Sequence, residues 1–281
     1  MNAAGKPLSA SFWLLDAPDS LSAQSHRNPD GTGLGTYDAR GRPVVDKAPI
    51  AAFEDIAFAR EARHVRSRTF VAHVRFASTG AHTLANTHPF EQDGRLFAHN
   101  GVVGDLPRLD EHLGTDRELV GGETDSERLF ALITRETRAR DGDLPAGIVA
   151  AIEWVADHLA LYSVNFVLTT ATELFALRYP DTHDLYVLAR GAEGGRGPLE
   201  HSSSLGTRVR SAEAAGRPVV VVATERMDDD PAWQEMASGE LLRVGPDADV
   251  TRRIAIDRAP AHLLSLADLD EHGRSSQAPS G

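Results

Sequence analysis

An α+β fold built in layers is what this sequence predicts, on three observations. Strand-like runs gather in one block before, and one block after, a pair of adjacent helical patterns, where βαβ units would alternate. The 281 residues are 41% hydrophobic, enough apolar side chain for a packed core and against disorder of the whole chain. No internal repeat and no long linker divides the chain. It therefore reads as a single domain over residues 1–258, followed by a C-terminal helix and disordered tail over 259–281.

Taken in order, NPDGTGLG (28–35) is a tight turn feeding a strand over Leu34–Asp38. Its glycines lack the G-x-G-x-x-G spacing and the following helix of a dinucleotide site. Thr69–Arg75 alternates as a strand, with Phe70, Ala72 and Val74 on one face and Val71, His73 and Arg75 on the other. Arg95–His99 is a second short strand, with Asn100-Gly101 at its end as a hairpin-turn dipeptide. Thr124-Asp125-Ser126-Glu127 is a capping box, the Thr hydroxyl as N-cap, and Leu129, Phe130, Leu132 and Ile133 follow as a buried face. The next helix has Pro145 in its first turn and Ile148, Ile152, Val155 and Leu159 at helical spacing. Ser163–Thr169 and Leu174–Arg178 form a hairpin around Ala171–Glu173. Gly191–Gly197 and Glu200–Ser204 read as one extended surface loop. Val219–Ala223, Leu241–Val244 and Arg253–Ile256 are further strands, and Ser275–Gly281 reads as a frayed tail.

Charge and composition exclude several function classes. With 29 Lys plus Arg against 41 Asp plus Glu, the net charge is −12, so clustered cations for a phosphate backbone are missing and nucleic acid is not an expected partner. No run of 18 apolar residues predicts a membrane span, and Met1–Ser11 lacks the apolar stretch of a secretory signal; the cytoplasm is the expected location. The cysteine count is zero, which excludes disulfides, thiolate metal sites and a cysteine nucleophile on this chain.

The polar constellation lies between His73 and Asp125, in HVRFASTG (73–80), NTHPF (86–90), AHNG (98–101) and GETDSE (122–127). Arg75, on the face of His73, can hold a carboxylate through two parallel hydrogen bonds; the alternative is a structural ion pair. The Asn100 amide and the Gly101 N–H suit an oxyanion developing on a carbonyl; the alternative is the turn. Asp125 can accept from an ammonium group; the alternative is a carboxylate favoured by the helix N-terminus. Together the three describe a pocket for an amino acid whose side chain carries a carbonyl. His73, His88 and His99 also invite a metal hypothesis, but no pair has the spacing of a helical zinc motif, and no metal or cofactor is expected.

These motifs, in this order, resemble the class II glutamine amidotransferases. NPDGTGLG, VNFVLTT…LFALR (164–178) and VVVVATERMDDDPAW (219–233) resemble the branch with a stand-alone glutaminase-type domain. The resemblance spans about Phe12 to Val244. It implies the four-layer αββα sandwich of the N-terminal-nucleophile hydrolases, here lacking its first strand. It also implies Arg75 on the glutamine α-carboxylate, Asp125 on the α-ammonium, Asn100 and Gly101 as the oxyanion hole, and Ser78 and Thr79 lining the substrate. Asn28 and Asp30 take a supporting role. The family's nucleophile is an N-terminal cysteine, which this chain does not carry. By the family's register, on the order of five to ten residues are absent ahead of Ala4. The expected function is cleavage of the side-chain amide of glutamine or a γ-glutamyl compound, with ammonia passing to a separate synthase partner or to none. The other expectation is a module that keeps the pocket without turnover.

Overall fold

The computed structural model describes residues 1–5, 7–76, 81–191, 199–202, 208–211 and 217–277. Along the chain come β1 (Asn2–Ala3), α1 (Leu21–Gln24), β2 (Gly31–Tyr37), β3 (Pro43–Ala48), α2 (Ile56–His64) and β4 (Val71–Arg75). Then follow β5 (Phe90–Gln92), β6 (Arg95–Val103), α3 (Leu106–Leu113), α4 (Asp125–Arg138) and α5 (Leu144–His158). The second strand block is β7 (Ala160–Thr169), β8 (Leu174–Arg178), β9 (Tyr186–Arg190), β10 (Leu199–Ser202), β11 (Arg208–Ser211), β12 (Val219–Ala223) and β13 (Gln234–Glu235). It continues with β14 (Glu240–Val244), β15 (Val250–Ile254) and β16 (His262–Leu263), and α6 (Glu271–Gln277) ends the described chain.

Alternation along the strands and the 3.6-residue helical period sort these elements into four layers. One sheet runs β15-β14-β8-β7-β6-β5, with β16 parallel to β7. On its outer face Phe97, Val164, Leu168 and Leu177 pack beneath Phe130 and Ile133 of α4 and Ile148 and Ile152 of α5. Phe97 stacks on Phe130 at 4.8 Å between centroids. Each such buried side chain contributes about 1.5–3 kcal/mol. Its inner face meets a second layer, made of the sheets β1-β12-β9-β13 and β3-β2-β4. Leu174, Ala176, Leu242 and Val244 lie against Leu185, Val187 and Val220 at one end of this seam. Tyr37 and Val71 lie against Leu96 and Ala98 at the other. The fourth layer is α2 with the helical turn Phe12–Asp16, which cover Leu34 and Phe70. This is the α+β, αββα arrangement expected. No helix among the described residues is long and apolar enough to cross a membrane.

The place where the sequence reading left out a first strand holds the two-residue β1, standing between the two sheets of the second layer. Asn2 and Ala3 pair with Val220 and Val219, and Asn2 also bridges Thr69. The Met1 amine donates to the Phe70 carbonyl at 2.8 Å, and the Phe70 N–H returns a bond of 2.9 Å to Met1. Alternation turns the backbone groups of Ala72, Val74 and Val222 to the same gap, where no described strand pairs with them.

Four local expectations change. NPDGTGLG, read as a turn feeding a strand at Leu34, is already strand from Gly31, where pairing of Gly31–Gly35 with β4 draws it into the sheet. Asn100-Gly101 does not end a strand: β6 continues to Val103, pairing Asn100 with Asn165 and Gly101 with Val164. Gly101 has φ +154°, and a Cβ there would lie 1.9 Å from the Ser163 carbonyl oxygen, so glycine serves a close crossing of strands instead of a turn. Within Glu200–Ser204, residues up to Ser202 belong to β10, which pairs with β11; residues 192–197 and 203–204 lie outside the described residues. The tail read as frayed from Ser275 is helical through Gln277, whose buried side chain accepts from His183 Nε2 at 2.8 Å.

Candidate functional site

Strand alternation builds the site. On β4 the inner-face positions are Val71, His73 and Arg75; on β6 they are Leu96, Ala98 and Asn100. The two inner faces look at each other, so His73 and Arg75 from one sheet meet Asn100 from the other. The His73 Nε2 lies 2.8 Å from the Asn100 Oδ1. Gly33, opposite His73 on β2, has no side chain because the His88 carbonyl passes where a Cβ would be, 2.0 Å away. That crossing accounts for Gly33, as Pro89 and Leu96 against the next glycine account for Gly35, and it brings His88 against His73 at 4.2 Å between ring centroids.

Asp125 opens α4, where Thr124 Oγ1 accepts from the Glu127 N–H at 3.2 Å as the N-cap. The capping box is half met: the Glu127 carboxylate accepts from the N–H groups of Gly121 and Gly122, not from that of Thr124. Asp125 is buried, and its Oδ2 accepts from the Val103 N–H at 2.9 Å while Oδ1 accepts from the Ser126 N–H at 2.8 Å. The carboxylate thus ties the helix start to the end of β6 and places its charge beside Arg75. Asn86 and Glu123 exchange bonds of 2.8 and 3.1 Å, joining the NTHPF and GETDSE segments.

Burial sets the electrostatics. The Arg75 guanidinium is buried and donates to the Ala81 carbonyl; burial lowers its proton affinity, while the carboxylates of Asp30 and Asp125 oppose that shift. Burial pushes His73 down to about 4 and His88 well below the usual histidine range. His99 is lowered for the same reason, against the pull of Asp125. These imidazoles are neutral at pH 7. The Met1 α-amine, at the edge of the same space, is pushed down to about 5 by burial.

A cavity of about 1110 Å³ opens between the layers. Arg75, Asn100, Gly101, Asp125 and Asn28 all line it, so five of the residues singled out in the sequence meet in one place. Asp30 stands behind: its N–H donates to the Arg75 carbonyl and its carboxylate lies 3.8 Å from His82. Ser78 and Thr79 lie outside the described residues. The metal hypothesis is not supported by geometry, because both His99 ring nitrogens face Ser126 and Ser163, and no group of three His, Cys, Asp or Glu among the described residues could hold an ion. Other lining residues went unnoticed in the sequence, among them Tyr162, Asn165, His183 and Gln277. Tyr162 and Asn165 come on β7, His183 on the loop between β8 and β9, and Gln277 on α6; Asn165 alone falls within a motif quoted above, VNFVLTT, which gave it no role.

Known proteins share this chain's pattern. A family model for class-II glutamine amidotransferases matches residues 8–262. A Haemophilus influenzae protein, whose name marks it as an unproven glutamine amidotransferase, is 25% identical over 220 residues, 76% of this chain and 72% of its own. The γ-glutamyl-hercynylcysteine sulfoxide hydrolase of Mycolicibacterium smegmatis is 26% identical over 252 residues, covering 85% of this chain and 92% of its own. Among solved structures, a glutamine aminotransferase class-II domain protein from Silicibacter pomeroyi superposes with a TM-score of 0.58 over 89% of this chain and 96% of its own, at 23% identity, which speaks for the fold. With the family pattern spanning most of its length and the layered fold in agreement, the chain belongs to the class-II glutamine amidotransferases.

Proposed function

We propose that the cavity binds the amino-acid part of glutamine or of a γ-glutamyl compound, as a glutaminase-type site that cleaves the side-chain amide when a thiol is supplied. Arg75 holds the α-carboxylate, Asp125 the α-ammonium, and the Asn100 amide with the Gly101 N–H the side-chain carbonyl oxygen. Ser78 and Thr79 border the substrate, and Asn28 and Asp30 support it. The observation that carries this reading is a cation, an anion and an amide from three elements lining one cavity. The name of the Mycolicibacterium smegmatis relative supports a γ-glutamyl amide as the bond broken. Hydrolysis needs attack on the carbonyl carbon, departure of the amide nitrogen as ammonia or amine, and release of glutamate by water. Ammonia then passes to a separate synthase partner or to solvent, in the cytoplasm.

Calorimetry tests the binding half. Arg75→Ala should weaken L-glutamine or a γ-glutamyl amide by roughly 2–5 kcal/mol, the cost of stranding one side of a buried charge pair. Equal affinity for wild type and variant would make Arg75 structural and sink the reading. The 281 residues hold no cysteine, so this chain should release no ammonia from glutamine. A form led by a cysteine and a short apolar strand ahead of Met1 should hydrolyse it, and Asn100→Ala should then cost about 10²–10³ in turnover. A correctly folded cysteine-led form without turnover would leave the alternative reading, a pocket that binds without catalysis.

A further inference from the structure

The Asn100 amide can serve a carbonyl oxygen only with its nitrogen, not its oxygen, turned to the ligand. The side chain has two nearly isosteric orientations, so a neighbour must choose between them. His73 is that neighbour. Its Nε2 faces the Asn100 Oδ1 at 2.8 Å, and a neutral imidazole meets a carbonyl oxygen only as a donor, through Nε2–H. The Asn100 Nδ2 then points away from His73, and among the described residues its side chain's one hydrogen bond is the Oδ1 bond to His73. Among the described residues His73 Nδ1 is buried without a partner, and the ring's one polar bond goes to Asn100. His88 packs against the ring with centroids 4.2 Å apart and planes tilted by 35°, both its nitrogens buried and unpartnered among the described residues. Among the described residues neither histidine has another polar contact that would explain it as a structural tie.

We infer that His73 is a positioning residue: it fixes the Asn100 amide so that Nδ2 meets the side-chain carbonyl oxygen of the ligand. The inference rests on the glutamine-pocket reading, and two ligands separate the two. L-Glutamine carries the γ-carbonyl; L-norvaline has the same α-carboxylate and α-ammonium without it. In calorimetry, His73→Phe, which keeps a ring against His88, should weaken glutamine about five- to tenfold, one hydrogen bond's worth, and leave norvaline within about twofold. His73→Gln, which can still donate to Oδ1, should recover most of the loss. Arg75→Ala should weaken both ligands. Weakening of both ligands alike by His73→Phe would make His73 structural and overturn the inference. Failure of wild type to bind either ligand would overturn the pocket reading, and the role of His73 with it. Nitrogen-15 spectra of the imidazoles give a check that needs no variant. They should show His73 with its proton on Nε2, and a proton on Nδ1 would overturn the inference.

Discussion

His73, His88 and His99 enter the fold neutral, and that has a consequence for stability. A histidine whose folded pKa is depressed by burial binds protons more weakly folded than unfolded. Its contribution is therefore fully present above the unfolded value of about 6.5 and is lost as pH falls toward the folded value. For His73, pushed down to about 4, the loss between about pH 7 and pH 5 comes to about 2 kcal/mol. His88 and His99 add in the same direction, with the positive Arg75 beside His88. Urea unfolding of wild type should show a marked fall in stability across that interval, and His73→Gln should flatten it. An identical slope in the variant would mean that His73 binds protons equally well in the folded and the unfolded protein.

At the scale of elements, α4 matters most because its first turn carries both the cap and a candidate ligand residue. Thr124 satisfies the Glu127 N–H, and the Glu127 side chain reaches back to Gly121 and Gly122, so the loop before the helix is held by the helix itself. Thr124→Ala should cost about 1 kcal/mol, read as a lower urea midpoint at unchanged slope. It should also loosen ligand binding through Asp125, which sits at the next position. A midpoint within error of wild type would show that the Glu127 bonds alone hold the turn.

For the whole molecule, the two inner sheets differ in continuity. The β6–β7 pair runs in one register from Leu96 to Val102 along the core beneath α4 and α5, whereas among the described residues β12 and β4 are joined only through Met1–Ala3. Hydrogen exchange should record this difference. Amides of Phe97 and Phe166 should exchange last, and those of Ala72, Val74 and Val222, which face the gap, at least about tenfold faster. Equal protection would mean that the gap is closed in solution. A strand led into it from ahead of Met1 should raise protection at Ala72 and Val222 first.

What the sequence determined by itself was the local and the periodic: the two helices with their buried faces, the Ser163–Arg178 hairpin, the inward face Val71-His73-Arg75, and the absence of any thiol. Those follow from neighbours three, four or two residues apart. Tertiary structure alone decided where Asn100-Gly101 falls. The dipeptide has a turn's composition, but pairing with Asn165 and Val164, more than sixty residues on, keeps it in the strand. It also decided which partner the Asn100 amide meets, since His73 comes from another sheet. Gln277 shows the same limit, because a polar C-terminal helix reads as tail until His183 receives it. A site assembled between two sheets is set by register across the seam, and register depends on the long-range packing that a linear pattern does not encode.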